Sequence, residues 1–115
     1  MITIYHNPRC SKSRAALELL ASRGLTPDIV HYLDTPPDTA TLKKLLKQLG
    51  LPARALLRQK EAEYTELGLS DPTLSDAALI AAMVAHPRLI ERPIATDGRR
   101  AVIGRPPENV LELLK

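Results

Sequence analysis

Apolar residues recur along the chain with two different spacings, and these spacings predict where strands and helices lie. Residues 1–5 are largely β-branched or aromatic and stop at an Asn-Pro turn signal, which predicts a buried strand followed by a loop. Over residues 11–23 the apolar positions fall at helical spacing, and Gly24 supplies a stop signal. Residues 28–32 predict a second strand, parallel to the first because a helix intervenes. The chain therefore opens with a βαβ unit.

The middle of the chain predicts helices. Asp38 is a candidate N-cap, and leucines at helical spacing follow it as far as Gly50. Two shorter helices are predicted at 53–57 and 61–67. A third, over 76–85, follows the candidate cap Ser75.

The last quarter returns to short extended segments. Residues 95–97 and 101–103 flank an Asp97-Gly98 turn and predict a hairpin, and a final helix is predicted from Pro106 to Leu114. This order of elements predicts an α/β fold: a thioredoxin-like mixed four-stranded sheet with flanking helices and a helical insertion. With 115 residues and no linker or repeat, we expect one domain spanning residues 1–115.

Composition narrows the possible functions. No apolar run approaches the ~18 residues that a membrane span needs, and no targeting segment is evident, so we expect a cytoplasmic protein with no membrane partner. The net charge is +3, but acidic and basic residues alternate, and only three aromatic residues are available to stack on bases. We therefore expect no nucleic-acid partner. We also expect a monomer.

The single cysteine, Cys10, is the leading candidate for chemistry. It lies where the first strand gives way to the first helix, so free backbone N–H groups should face its sulfur. Four basic or potentially basic residues lie within four positions of it: His6, Arg9, Lys12 and Arg14. Such surroundings lower a cysteine pKa and bind oxyanions. The alternative is a small buried core residue, but the polar neighbours favour a reactive thiol.

The residues at fixed distances after Cys10 distinguish between the classes of cysteine site. A phosphatase loop needs an arginine six positions after the cysteine, where this chain has Ala16, and a dithiol pair needs a cysteine at position 13, which is serine. The pattern is therefore C-x-x-S. Ser13 could donate a hydrogen bond to the thiolate but cannot resolve a mixed disulfide. With one cysteine, any redox cycle must use a thiol from another molecule.

Four short motifs occur in a recognisable order: HNPRCSKSR at 6–14, Arg58 after LPARALL, ERPI at 91–94, and Gly104-Arg105-Pro106. In this order and approximate spacing they resemble the arsenate reductase family that couples to glutathione and glutaredoxin. The likeness spans nearly the whole chain. Single-residue matches remain open to another interpretation, because most arginines are solvated surface residues.

The resemblance implies specific roles. Cys10 matches the nucleophile, and His6 matches a histidine beside it, while Pro93 matches the cis-proline next to the active thiol. Three arginines match those that hold the oxyanion: Arg58, Arg92 and Arg105. Around the thiol we expect further substrate contacts from the loop and from the family-matched proline: Arg9, Ser11, Lys12, Ser13, Arg14 and Pro93. The implied substrate is arsenate, with glutathione and glutaredoxin as reductants and no tightly bound cofactor. The three histidines show no metal-ligand spacing.

Two other functions stay open. Spx-type regulators, which bind RNA polymerase, resemble this family in length and fold, but many carry a C-x-x-C switch that this chain lacks. A glutathione-dependent thiol transferase would also use a lone cysteine.

The loop around Cys10 departs from the family pattern. It has Arg9, Ser11 and Lys12 where well-known arsenate reductases tend to have smaller or uncharged residues, which indicates a related branch of the family.

Overall fold

The computed structural model describes all residues, 1–115, as four strands, four α-helices and three 3₁₀-helices. The strands are β1 Thr3–Tyr5, β2 Asp28–Val30, β3 Ile94–Thr96 and β4 Ala101–Ile103. The α-helices are α1 Ser11–Ser22, α2 Thr39–Leu49, α3 Ala62–Glu66 and α4 Asp76–Ala85, and the 3₁₀-helices are Ala53–Leu56, Pro87–Leu89 and Pro107–Leu114. The chain divides into two compact units: Met1–Thr35 with Arg92–Lys115, and Pro36–Glu91.

The first unit contains the whole sheet, in the order β2-β1-β3-β4. β1 pairs with β2 in parallel, whereas β3 pairs antiparallel with both β1 and β4. The sheet is therefore mixed, and the predicted α/β class, the parallel β1–β2 pair and the hairpin are confirmed. β1 and β2 are shorter than expected, and β3 lies one residue earlier than the predicted 95–97. After Val30 the chain turns, because the carbonyl of His31 accepts from the N–H groups of Asp34 and Thr35 at 3.0 and 2.9 Å, so Tyr32 lies in a turn.

The core of the first unit forms where two helices pack on the sheet. α1 and the 3₁₀-helix Pro107–Leu114 contact each other. Their buried residues meet those of the central strands in one cluster of seven: Ile2, Ile4, Ala16, Leu20, Ala95, Val110 and Leu113. Burial of these aliphatic side chains is the main force that fixes the start of α1, since an isolated helix of this length is marginal in water.

The second unit is helical, and its two longest helices begin at the predicted caps. The Asp38 carboxylate accepts from the N–H of Thr41 at 2.8 Å, and α2 ends at Gly50 with a φ of 69°. The Ser75 hydroxyl accepts from the N–H of Ala78 at 3.1 Å at the start of α4. α4 packs against α2 and against the 3₁₀-helices Ala53–Leu56 and Pro87–Leu89.

Three helix predictions need correction. The helix expected at 53–57 ends at Leu56, because Leu57 is extended and pairs with Ile90. Arg58 follows this extended residue, and its N–H donates to the Leu89 carbonyl at 2.7 Å. The helix expected at 61–67 is limited to Ala62–Glu66, and the last helix begins at Pro107 with 3₁₀ geometry. None of the helices is both long enough and apolar enough to cross a membrane.

Candidate active site

The register of the sheet brings three segments of the first unit together. Tyr5, the last residue of β1, pairs with Ile94, the first residue of β3, so the loop after β1 lies beside Arg92 and Pro93. Ile94 in turn pairs with Ile103, which ends β4, so Gly104 and Arg105 follow at the same edge. Residues separated by up to 95 positions in sequence therefore meet around Cys10.

Cys10 occupies the N-cap of α1, as the strand-to-helix pattern predicted. Its own N–H donates to the Asn7 carbonyl at 3.0 Å, and its carbonyl accepts from the N–H of Arg14 at 3.0 Å. No side chain caps the helix, so the first N–H groups of α1 are available to the sulfur. The residue is 8% exposed. The thiol is thus largely shielded while facing the positive end of a helix.

The pKa of the Cys10 thiol is lowered below its ordinary range by its surroundings. Burial alone raises it, because a thiolate loses hydration in a shielded site. Hydrogen bonds from the backbone N–H groups of Ser13 and Lys12 oppose this effect, as do a hydrogen bond from the Arg92 guanidinium and its positive charge. The combined donors outweigh burial, so the site favours the nucleophilic thiolate.

This lowered pKa predicts the pH dependence of Cys10 alkylation. Only the thiolate reacts, so the iodoacetamide rate should reach half its maximum at a lower pH than for the same chain in denaturant. Because the group's folded-state pKa is lowered, the rate should fall only as the pH drops through that value. The chain has one cysteine, so the measurement reports a single site. Coincident folded and denatured profiles would contradict the assignment.

Arg105 is held against both Cys10 and Arg92. Its Nη2 lies 3.7 Å from the Cys10 sulfur, and its Nε donates to the Arg92 carbonyl at 2.8 Å. The peptide bond between Arg92 and Pro93 is cis, as expected for Pro93, and so is the bond between Arg105 and Pro106. Two guanidinium groups, from Arg92 and Arg105, therefore face one sulfur. Such a pair can also bind an oxyanion through charge-assisted hydrogen bonds.

Gly104 belongs to the site, although in the sequence it is distinguished only as part of the Gly104-Arg105-Pro106 motif. Its N–H donates to the Pro93 carbonyl at 2.8 Å. A Cβ at this position would lie 2.7 Å from Cγ of Pro93 and 3.2 Å from Cγ1 of Val110. Pro93 is fully buried, so it has no room to retreat. Only glycine lets the segment carrying Arg105 approach Pro93 this closely.

We expect Gly104→Ala to destabilise the protein by about 1–3 kcal/mol, because the new methyl group overpacks a full site. It should also change the Cys10 alkylation profile, since Arg105 follows directly in the chain. Gly24→Ala is the control: a Cβ there meets nothing within 4 Å, so only its positive φ of 75° costs stability. Urea unfolding together with alkylation would check both. An unchanged profile in Gly104→Ala would contradict the proposed coupling.

His6 is buried beside the loop, but it does not add to the positive charge. It is 5% exposed, and its ring meets the His31 ring edge-on at a centroid distance of 5.9 Å. Burial lowers the pKa of His6, and the charges of His31 and Arg14 lower it further. The imidazole is therefore neutral near pH 7, which corrects the expectation that it belongs to the cationic surroundings. Its Nδ1 is buried without a hydrogen-bond partner.

The remaining loop residues divide into exposed cations and a buried serine. Arg9, Lys12 and Arg14 are exposed, as is Ser11, and Arg14 donates to the Pro8 carbonyl at 3.1 Å. Ser13 is fully buried. Its hydroxyl accepts from the N–H of Asn7 at 3.3 Å, and its backbone N–H, instead of the expected hydroxyl, donates to the thiolate.

Arg58 lies in the second unit, where carboxylates surround it. Its Nη1 contacts Glu91 at 3.1 Å and its Nε contacts Glu61 at 3.4 Å. A role for Arg58 in holding the oxyanion stays a prediction from the resemblance.

The candidate residues form no metal site, and they do not line the cavity of the second unit. No three His, Cys, Asp or Glu side chains come together as a metal site. A cavity of about 470 Å³ in the second unit is lined by α2 and α4 residues and by the two residues after α2: Lys43, Leu46, Lys47, Gly50, Leu51, Asp76, Ala77 and Ile80.

A mixed four-stranded sheet with a lone cysteine at the N-cap of its first helix and a cis-proline before β3 defines a thioredoxin-like protein. Residues 5–113 match the model of the ArsC family, and the chain belongs to that family.

Similar proteins agree with this placement. The chain is 58% identical over 114 residues to an uncharacterised Escherichia coli protein, YfgD, with 98% of this chain and 96% of that one covered. It is 52% identical over 114 residues to a Neisseria meningitidis arsenate reductase, with coverage of 98% and 97%. A solved Vibrio cholerae arsenate reductase is similar in fold, with a TM-score of 0.94, 54% identity and coverage of 97% and 96%.

Proposed function

We propose that this protein reduces arsenate to arsenite, with the Cys10 thiolate as nucleophile and with glutathione and glutaredoxin as external reductants. One observation carries the proposal: the Cys10 sulfur lies at a helix N-terminus under two guanidinium groups, those of Arg92 and Arg105. Relatives named arsenate reductase, 52% identical in the Neisseria meningitidis case, support the choice of oxyanion.

The first step is attack on a bound oxyanion. Arg92 and Arg105 neutralise arsenate, which would otherwise repel the thiolate, and the α1 N–H groups add dipolar donors. The Cys10 sulfur forms a bond to arsenic, and one arsenate oxygen takes up protons and leaves as water. Arsenic is still As(V) at this stage. The step therefore needs an activated thiolate and positioned cations, both of which the site offers.

The second part of the cycle requires electrons that one cysteine cannot supply. Glutathione displaces a further oxygen as water, giving a mixed sulfur adduct on arsenic. A glutaredoxin thiolate then attacks the glutathione sulfur and forms a disulfide with it. The bond between that sulfur and arsenic breaks, and its electron pair stays on arsenic, which becomes As(III). Water releases arsenite and restores the Cys10 thiol. Two external thiols thus become one disulfide, which matches the two-electron change at arsenic.

The other residues implied by the family resemblance would take supporting roles. By the family resemblance alone, Arg58 would bind the oxyanion or the adduct. His6, whose pKa is lowered by burial, would shape the loop without adding charge. The exposed cations Arg9, Lys12 and Arg14 would attract the anionic substrate and the carboxylates of glutathione. Because its thiol must stay reduced between turnovers, we propose that the protein acts in the cytoplasm. We also propose that it acts as a monomer.

The test is arsenate-dependent NADPH oxidation with glutathione, glutaredoxin and glutathione reductase present. We expect oxidation only when arsenate, glutathione and glutaredoxin are all supplied. Oxidation that instead requires thioredoxin and thioredoxin reductase would support arsenate reduction by this protein but contradict glutathione and glutaredoxin as its reductants. No oxidation with either system would overturn the proposal, and deglutathionylation of a glutathionylated peptide would then favour a thiol transferase.

A further inference from the structure

The segment that carries Arg105 is a tight turn held by a side chain outside the family motifs. The Ile103 carbonyl accepts from the N–H of Arg105 at 2.9 Å, which closes a turn around Gly104. The same carbonyl accepts from Nδ2 of Asn109 at 3.2 Å, and Nδ2 also donates to the Arg105 carbonyl at 3.1 Å. One amide group therefore bridges the carbonyls on both sides of the Gly104-Arg105 peptide.

The orientation of this amide follows from its neighbours. Both groups that it contacts are carbonyl oxygens, which only accept hydrogen bonds. The NH₂ end of Asn109 must therefore face them, since the opposite orientation would bring three oxygens together. A carboxylate or an apolar side chain of similar size could not make either bond.

Asn109 itself is fixed by the core. It lies in the 3₁₀-helix Pro107–Leu114, directly before Val110, which is fully buried in the core of the first unit. Its own N–H donates to the Pro106 carbonyl at 3.0 Å. The amide is thus attached to a packed element, while the turn that it holds carries a charged side chain to the thiol.

We propose that Asn109 is a positioning residue that holds the backbone of Arg105 so that its guanidinium lies against the Cys10 sulfur. The contacts of Arg105 support this role. With the turn fixed, its Nε donates to the Arg92 carbonyl at 2.8 Å, and its Nη2 lies 3.7 Å from the Cys10 sulfur. Without the amide, the Arg105 carbonyl loses its Asn109 donor, and Arg105 can rotate away from the thiol. The inference deepens the proposed function, because it concerns the same thiol.

The competing explanation is that Asn109 only stabilises the fold. The two explanations differ in their coupling to Arg105. A positioning residue has no effect on the thiol once the guanidinium is gone, whereas a general loss of packing would act in either background. The pH profile of Cys10 alkylation reads the thiolate directly and needs no arsenate turnover, so failure of this inference is distinguishable from failure of the proposed function.

The experiment compares Asn109→Leu, which keeps the size of the side chain but removes the donor, with Arg105→Ala and the double variant. Glu108→Ala, on the same 3₁₀-helix and exposed, is the matched control. We expect Asn109→Leu to slow alkylation at pH 6 about 3- to 10-fold, because the thiolate loses a neighbouring positive charge. Arg105→Ala should slow it at least as much, the double variant no more than Arg105→Ala, and Glu108→Ala should match the wild type.

Two results would overturn the inference: a wild-type profile in Asn109→Leu while Arg105→Ala is shifted, or a further slowing in the double variant beyond Arg105→Ala. Thermal unfolding of each variant guards against misfolding. If Asn109→Leu does not fold, Asn109→Ala in the same comparison decides, because a smaller side chain removes the donor without overpacking.

Discussion

Replacing Cys10 with serine is expected to abolish arsenate reduction, with a loss of at least about 10³-fold in turnover. A serine hydroxyl at this N-cap would receive the same backbone and guanidinium donors, but it stays protonated near neutral pH and so lacks the nucleophilic anion. Serine also cannot take part in thiol exchange with glutathione. No other cysteine exists in the chain to substitute for it.

The coupled NADPH assay measures this loss, and Ser22→Ala is the matched control because Ser22 is exposed at the opposite end of α1 from Cys10. Its turnover should stay close to that of the wild type. The Cys10→Ser protein should still bind arsenate, since both guanidinium groups remain, and protection of the protein against thermal unfolding by arsenate would detect this. Arsenate-dependent turnover in Cys10→Ser would contradict the whole mechanism.

Local patterns in the sequence predicted the elements whose ends depend on neighbouring residues. Asp38 and Ser75 accept hydrogen bonds at their helix starts, and Gly50 ends α2 in the left-handed region. The thiol at the start of α1 was predicted for the same reason, because a strand, a turn and a helix follow one another within a few residues. Such signals depend on residues within about one helical turn of each other in the sequence.

Features that depend on distant contacts were not predictable in the same way. The bridge between Leu57 and Ile90 ended a predicted helix at Leu56 instead of Leu57. Gly104 and Asn109 have no local signal that distinguishes them from ordinary loop and helix residues. Their importance arises from Pro93 and Cys10, which the sheet register brings close only after folding. Tertiary packing therefore decides the supporting residues, whereas the sequence motif locates the thiol.

Arg92→Ala is expected to produce the second largest loss, on the order of 10²–10³-fold in kcat/KM, because it removes two effects at once. Arg92 donates a hydrogen bond to the Cys10 sulfur and supplies a positive charge beside it, so its loss raises the pKa of the thiol. The same guanidinium is also proposed to hold the arsenate oxygens. At a pH well above the raised pKa the thiolate returns, and only the second effect should remain, as a higher KM.

Comparing rates across pH therefore separates the two roles of Arg92. Arg92→Lys keeps the charge but not the planar fork of donors, so it should restore most of the thiolate reactivity and less of the arsenate affinity. Arg99→Ala removes an exposed arginine from the turn between β3 and β4 and should match the wild type, which excludes a general effect of net charge. If Arg92→Ala kept both the alkylation profile and KM of the wild type, the thiol would owe its reactivity to the helix N–H groups and Arg105 alone, and the two-guanidinium site would be wrong.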